Sequence, residues 1–275
     1  MKHSQDYQIL LDLMIRLVDS QAGHKIQSGK AWLNDAQTLS IKLFRHLVSM
    51  QTCSYGATVE HDGKPVIWFI DHASIKVIAR AALETYLVFF YIYGESDKEL
   101  SEFRHKTWVL GGLKDRQKMH ASSEENKEKL NQEKQQICKL QSEIKASKYI
   151  ESYTEKQSKR LLEGNWKIGN GWSSLGVSAG FHEIYFNNIY SYLCGYSHSS
   201  YISALQVGQA QEIKDQQKLT QSILGVGVVI MAHFSFSYSS LFESADEVFN
   251  SDNSGKEVAD KWHFGPEDMA HIYNR

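Results

Sequence analysis

Residues 71–94 read DHASIKVIARAALETYLVFFYIYG, an apolar run that carries Arg80 and Glu84 four residues apart. Positions four apart share a face of a helix, so these two side chains project together from the middle of the segment. A charge pair set among apolar neighbours needs partners, or it costs several kcal/mol. A second segment of the same kind, residues 181–201, reads FHEIYFNNIYSYLCGYSHSSY and ends in Tyr196-Ser197-His198. Both are long, apolar and helical in pattern. They point to a helical chain and mark where a site would lie.

The flanking sequence agrees. Ile9, Leu10, Leu13, Met14, Leu17 and Val18 follow the i, i+3, i+4 spacing of a helix over 6–21, and Leu39, Leu43, Phe44, Leu47 and Val48 repeat it over 30–52. Residues 54–70, SYGATVEHDGKPVIWFI, break the pattern. A His-Asp-Gly-Lys-Pro turn between β-prone stretches predicts a small hairpin or strap near 55–70. Asp71 or Ser74 can then cap the next helix, which runs to Gly94.

From Ser96 to Ser147 the composition turns to Lys, Glu and Gln. Leu130, Ile137 and Ile144 fall seven apart, with Leu140 between them, a narrow coiled-coil-like seam. Phe103, Trp108, Leu110 and Leu113 offer the complementary face. Two antiparallel helices forming a protruding charged arm over 97–147 are expected, as an element for dimerisation or for binding a protein partner. Residues 149–163 continue as a polar helix, and GNWKIGNGWSSLGVSAG over 164–180 is a loop. Helices follow over 181–198 and 212–243, where Gly225 and Gly227 permit close packing. The fold class expected is all-α: one helical bundle domain over 1–250 with the arm inserted, and a polar tail over 251–275 patterned only at Trp262-His263-Phe264.

The bulk numbers narrow the function. Of 275 residues, only 2 are proline and 18 glycine, which suits long uninterrupted helices. A net charge of -2 supplies no broad basic field for nucleic acid, so RNA would be held through a local site. Cys53, Cys138 and Cys194 are widely spaced with no CxxC, consistent with reduced thiols and a cytoplasmic protein. The N-terminus is an amphipathic helix rather than a signal peptide. The oily runs at 86–93 and 223–231 fall short of the ~20 residues a membrane span needs, so no membrane partner is expected.

Three constellations carry possible chemistry. Glu84 orienting Arg80 would let the guanidinium clamp a phosphate; the alternative is an internal ion pair that fixes helix register. His198 follows Tyr190, Tyr192 and Tyr196 and sits among Ser197, Ser199 and Ser200. Near a helix C-terminus it suits general acid–base work on a phosphodiester; the alternative is a hydrogen-bonded packing residue. Glu102-x-x-His105 matches half of a di-iron helix pair, with His182-Glu183 and His233 as further donors. That motif occurs once and in the arm, so neither a metal nor a cofactor is expected. Walker A, GxGxxG, HExxH and GxSxG signatures are absent.

SIKVIARAALETYLVFFYIY resembles the R-x-x-x-E helix of a bacterial family numbered 5677 among the domains of unknown function. A later helix of that family ends in Y-x-x-L-[SC]-x-x-x-H, which here is Tyr190-Ser-Tyr-Leu-Cys-Gly-Tyr-Ser-His198. The resemblance spans about residues 30–240 and carries over Arg80, Glu84, Tyr190 and His198. The helical layout is similar to HEPN domains, which often act as metal-independent ribonucleases in toxin and anti-phage systems. Those enzymes carry Arg-x4-6-His on one helix; this chain has Ser191, Tyr192 and Leu193 at that spacing. What the resemblance implies is a HEPN-like ribonuclease with His198, Arg80 and Glu84 as catalytic residues and Tyr190, Tyr196 and Ser197 binding substrate. The competing expectation is a non-enzymatic interaction module in a multi-protein defence complex, joined through 97–147. Apolar and aromatic helix faces predict a homodimer.

Overall fold

The computed structural model describes residues 2–169 and 171–273. It is all-α apart from one hairpin. In chain order the elements are α1 (Lys2–Asp19), α2 (Asn34–Ser54), β1 (Ala57–His61), β2 (Lys64–Phe69), α3 (His72–Tyr93), α4 (Lys98–Arg116) and α5 (Glu124–Lys145). They continue with α6 (Glu155–Leu162), α7 (Trp172–Ser178), α8 (Glu183–Ser197), α9 (Tyr201–Gln209), α10 (Ile213–Ser239), α11 (Glu243–Ser251), α12 (Asn253–Trp262) and α13 (Pro266–Tyr273). The chain forms two compact units, residues 1–90 with 175–275, and residues 91–174.

In the first unit α10 is the central helix. Its Val228, Ile230, Met231 and Phe234 are fully or almost fully buried, as are Leu10, Leu13 and Leu17 of α1 and Leu47 and Met50 of α2. Tyr7 closes the contact by donating from its hydroxyl to the Leu47 carbonyl at 2.8 Å. Gly227 permits the close approach, because a Cβ there would stand 2.8 Å from the Tyr7 ring. Gly225, expected to share that role, has open space beside it. By length and composition α10 is the one described helix that could cross a membrane, yet 72% of its apolar window lies inside the protein. It is a core helix.

The expected tail is folded helix. Asp252 accepts from the Gly255 amide at 2.9 Å and so caps α12, and it also pairs with Arg16. Trp262 donates its indole N–H to Asp6 at 2.8 Å. The packing uses Gly255 and Ala259, both buried. The helix expected over 212–243 is bounded at Ile213–Ser239, and a separate α9 precedes it.

The hairpin lies where the turn predicted it. Ala57 pairs with Phe69 and His61 with Lys64, with a bulge at Val59/Glu60. Its two-residue loop, Asp62-Gly63, has φ of 50° and 72°, the positive values a type I′ turn requires at both positions. Apart from Phe69, every residue of its strands is exposed.

The second unit extends the expected arm at both ends. Its core joins Phe103, Leu110 and Leu113 of α4, Ile137 and Ile144 of α5, Leu161 of α6, and Ile168. Ile137 and Ile144 of the expected seam are therefore consumed inside the unit, while Leu130 stays half-buried outside that core. Residues 149–163 are a 3-10 turn, Lys148–Ser152, followed by α6, which Thr154 and Gln157 start with a reciprocal capping box. Glu102 pairs with Lys106 at 2.8 Å. Among the described residues no group of three His, Cys, Asp or Glu converges to hold a metal ion.

Candidate functional site

Two helices of the first unit build the site. α3 starts where Asp71 accepts from the Ser74 amide at 3.0 Å, an N-cap that sets the rotation of everything after it. One face of α3 then presents His72, Lys76, Arg80 and Glu84 at intervals of four. α8 ends at His198, its C-cap, and Ser199 follows at φ 50° to turn the chain into α9.

Arg80 Nε donates to Glu84 Oε1 at 2.9 Å, and the Tyr190 hydroxyl donates to the same oxygen at 2.8 Å. Arg80 Nη1 lies 3.2 Å from His198 Nε2. A guanidinium can only donate, so Nε2 is the acceptor in this contact. The Arg80 guanidinium also faces the Tyr190 ring, 5.7 Å from its centroid. Arg80 and Glu84 are about a quarter exposed, at 22% and 26%, and His198 is exposed, so the group opens to solvent. Burial alone would lower the Arg80 guanidinium; its hydrogen bonds to Tyr190 and Glu84 outweigh that and hold it above its ordinary value. Burial, reinforced by Glu84, raises the Tyr190 phenol.

One turn earlier Lys76 is buried, at 1% exposure. Its ammonium lies 3.0 Å from His72 Nδ1 and donates to the Tyr196 hydroxyl at 3.0 Å, with Nζ 4.1 Å from that ring's centroid. The Tyr196 hydroxyl donates in turn to Gln206 Oε1 at 2.5 Å, and Tyr192 donates to the same oxygen at 3.0 Å. Among the described residues no carboxylate pairs with Lys76. Burial pushes its pKa down to about 8. It also lowers the His72 imidazole, with the Lys76 charge second, and raises the Tyr196 phenol.

Arg80, Glu84, Tyr190 and His198 thus meet in one group, while Tyr196 stands beside Lys76 rather than Arg80. Ser197 is turned to its own helix, its hydroxyl donating to the Leu193 carbonyl at 3.3 Å. His182 stacks on Tyr273 and His233 on Phe181, at ring distances of 4.9 and 4.2 Å, as packing residues. Sequence reasoning missed Lys76, His72 and Gln206. The spacing 72, 76, 80, 84 was available for the first two; Gln206 carried no signal.

The site combines an exposed imidazole, a guanidinium braced by a carboxylate and a phenol, and a buried ammonium. Such a group can hold an anion and move a proton beside it. No curated protein and no solved structure matches the chain. The model of a family of unknown function, DUF5677, matches residues 70–216, from just before α3 into the start of α10. That is narrower than the 30–240 expected from the resemblance, but it includes Arg80, Glu84, Tyr190 and His198 and covers more than half of the chain. The chain therefore belongs to the DUF5677 family.

Proposed function

We propose that this chain is a HEPN-like ribonuclease of a bacterial toxin or anti-phage system, acting at the Arg80–His198 pair. The observation that carries the reading is the 3.2 Å approach of Arg80 Nη1 to His198 Nε2 across two helices. A HEPN enzyme takes its arginine and histidine from one helix; here α3 would supply the guanidinium that α8 lacks. A scissile phosphate entering between them takes over the guanidinium as its partner and frees Nε2. His198 then removes the 2′-hydroxyl proton, and the 2′-oxygen attacks phosphorus. The bond to the 5′-oxygen breaks, leaving a 2′,3′-cyclic phosphate; the departing oxygen takes a proton from water, and the hydroxide so formed takes up the proton held by His198. Glu84 and Tyr190 position Arg80, and the buried Lys76 charge adds positive potential behind it.

The test is cleavage of a labelled ribo-oligonucleotide and of its 2′-deoxy counterpart, using wild-type chain and the His198→Ala variant. The reading requires cleavage of the ribo strand alone, giving cyclic-phosphate ends, and loss of cleavage in the variant. Failure to cut either strand, or equal cutting by His198→Ala, overturns it. A non-enzymatic module acting through residues 97–147 would then stand in its place.

A further inference from the structure

A surface cleft of about 440 Å³ separates α8 from α9, lined by Asn188, Ser191, Tyr192, Tyr196, Ser200 and Ser203 among others. Positions 188, 191, 192 and 195 fall on one face of α8 and make one wall; the first turn of α9 makes the other. None of the lining side chains carries a formal charge at neutral pH. Tyr192 and Tyr196 stand edge to face with centroids 5.3 Å apart. Both hydroxyls are committed to Gln206, and Tyr196 is buried with Lys76 over its ring, so the ring surface left to a ligand is that of half-buried Tyr192. Asn188 and Ser191 are exposed and make no hydrogen bond among the described residues. A free carboxamide presents donor and acceptor side by side, the pairing that reads a base edge.

The cleft adjoins the Arg80–His198 pair. Gly195, at the near end of the α8 wall, is three residues from His198, hence a neighbour on the helix surface and ~4.5 Å away along the axis, while Ser191 and Asn188 lie ~10 and ~15 Å back. The Ser200 amide bonds back to the Gly195 carbonyl at 2.8 Å, so the turn that carries His198 also closes the cleft. A Cβ on Gly195 would meet Ser200 Oγ at 2.9 Å, so only glycine lets the two walls approach without displacement.

We infer that this cleft holds a nucleobase of the strand whose phosphate lies at Arg80, stacked on the Tyr192 ring and read by Asn188 and Ser191. The inference rests on the phosphodiester reading of that pair. The ligand class follows from the lining: planar, uncharged and hydrogen-bonding, on the same helix that carries His198.

Fluorescence anisotropy at one fixed salt concentration tests it, with a labelled ribotetranucleotide and the same tetramer made abasic at its central positions. Wild-type chain should bind the parent at least about tenfold more tightly than the abasic strand, the worth of stacking one base. Asn188→Ala combined with Ser191→Ala, both at exposed positions, should weaken the parent by several-fold, and Tyr192→Ala should bring it to the abasic level. Arg80→Ala should weaken both strands. Equal binding of parent and abasic strands, with Arg80→Ala still weakening both, overturns the base cleft alone. Absence of binding to either strand overturns the phosphodiester reading as well.

Discussion

Replacing Lys76 with methionine should stabilise the protein at neutral pH and destabilise it at high pH. The ammonium is 1% exposed, with an imidazole and a phenol as its partners. Burial lowers its pKa from 10.5 to about 8. At roughly 1.4 kcal/mol per unit, that difference puts about 3 kcal/mol against the folded state while the lysine is charged in both states. The sign follows from proton binding. Below pH 8 folded and unfolded chains both hold the proton, and the penalty is complete. Between about 8 and 10.5 the folded chain has released a proton the unfolded chain still binds, so wild-type stability rises with pH. Methionine removes that dependence but forfeits the contacts to His72 and Tyr196, roughly 1–2 kcal/mol together. The variant should gain about 1–2 kcal/mol at pH 7, seen as a Tm higher by roughly 3–6 °C. Near pH 10.5 it should fall below wild type. Chemical denaturation of both proteins across this range measures the crossing. A variant less stable by the same amount at both ends would show that the ammonium is fully compensated where it lies, and the argument would fail.

Three further outcomes are expected. His198→Ala, at an exposed C-cap, should change stability by no more than about 0.5 kcal/mol while removing cleavage, read by thermal melting beside the oligonucleotide assay. Arg80→Ala should cost about 1–2 kcal/mol, because Glu84 stays partly solvated and keeps Tyr190 as a donor; adding Glu84→Gln should recover part of it in the same denaturation experiment. Self-association, if the chain forms the expected dimer, should draw on the exposed Val66, Ile67 and Trp68 of the hairpin rather than on the buried seam of α5. Light scattering at micromolar concentration should give a mass of two chains, reduced to one by Ile67→Glu; a single-chain mass in the wild type, unchanged on dilution, would end that expectation.

Much of the fold was legible because its signals are local. The periodicity of α1, α2 and α3, the Asp62-Gly63 turn and the cap at Asp71 each depend on a few neighbouring residues, and those patterns survive whatever packs around them. The spacing of Arg80 and Glu84 likewise puts both on one face of a helix by itself. Other features had no local trace. The contact of α12 with α1, made where Gly255 meets Leu13 and Trp262 reaches Asp6, joins the two ends of the sequence, and no local pattern marks it. The seam of Leu130, Ile137 and Ile144 suited a partner or its own chain, and only the arrangement of α4, α5 and α6 decided that the chain itself covers Ile137 and Ile144. The site is of this second kind. Arg80 and His198 are 118 residues apart, and their meeting depends on the relative rotation of α3 and α8, which packing sets and no short pattern encodes. Sequence supplied the groups and their helices; tertiary structure decided that guanidinium and imidazole face each other, and that Lys76 lies buried one turn behind them.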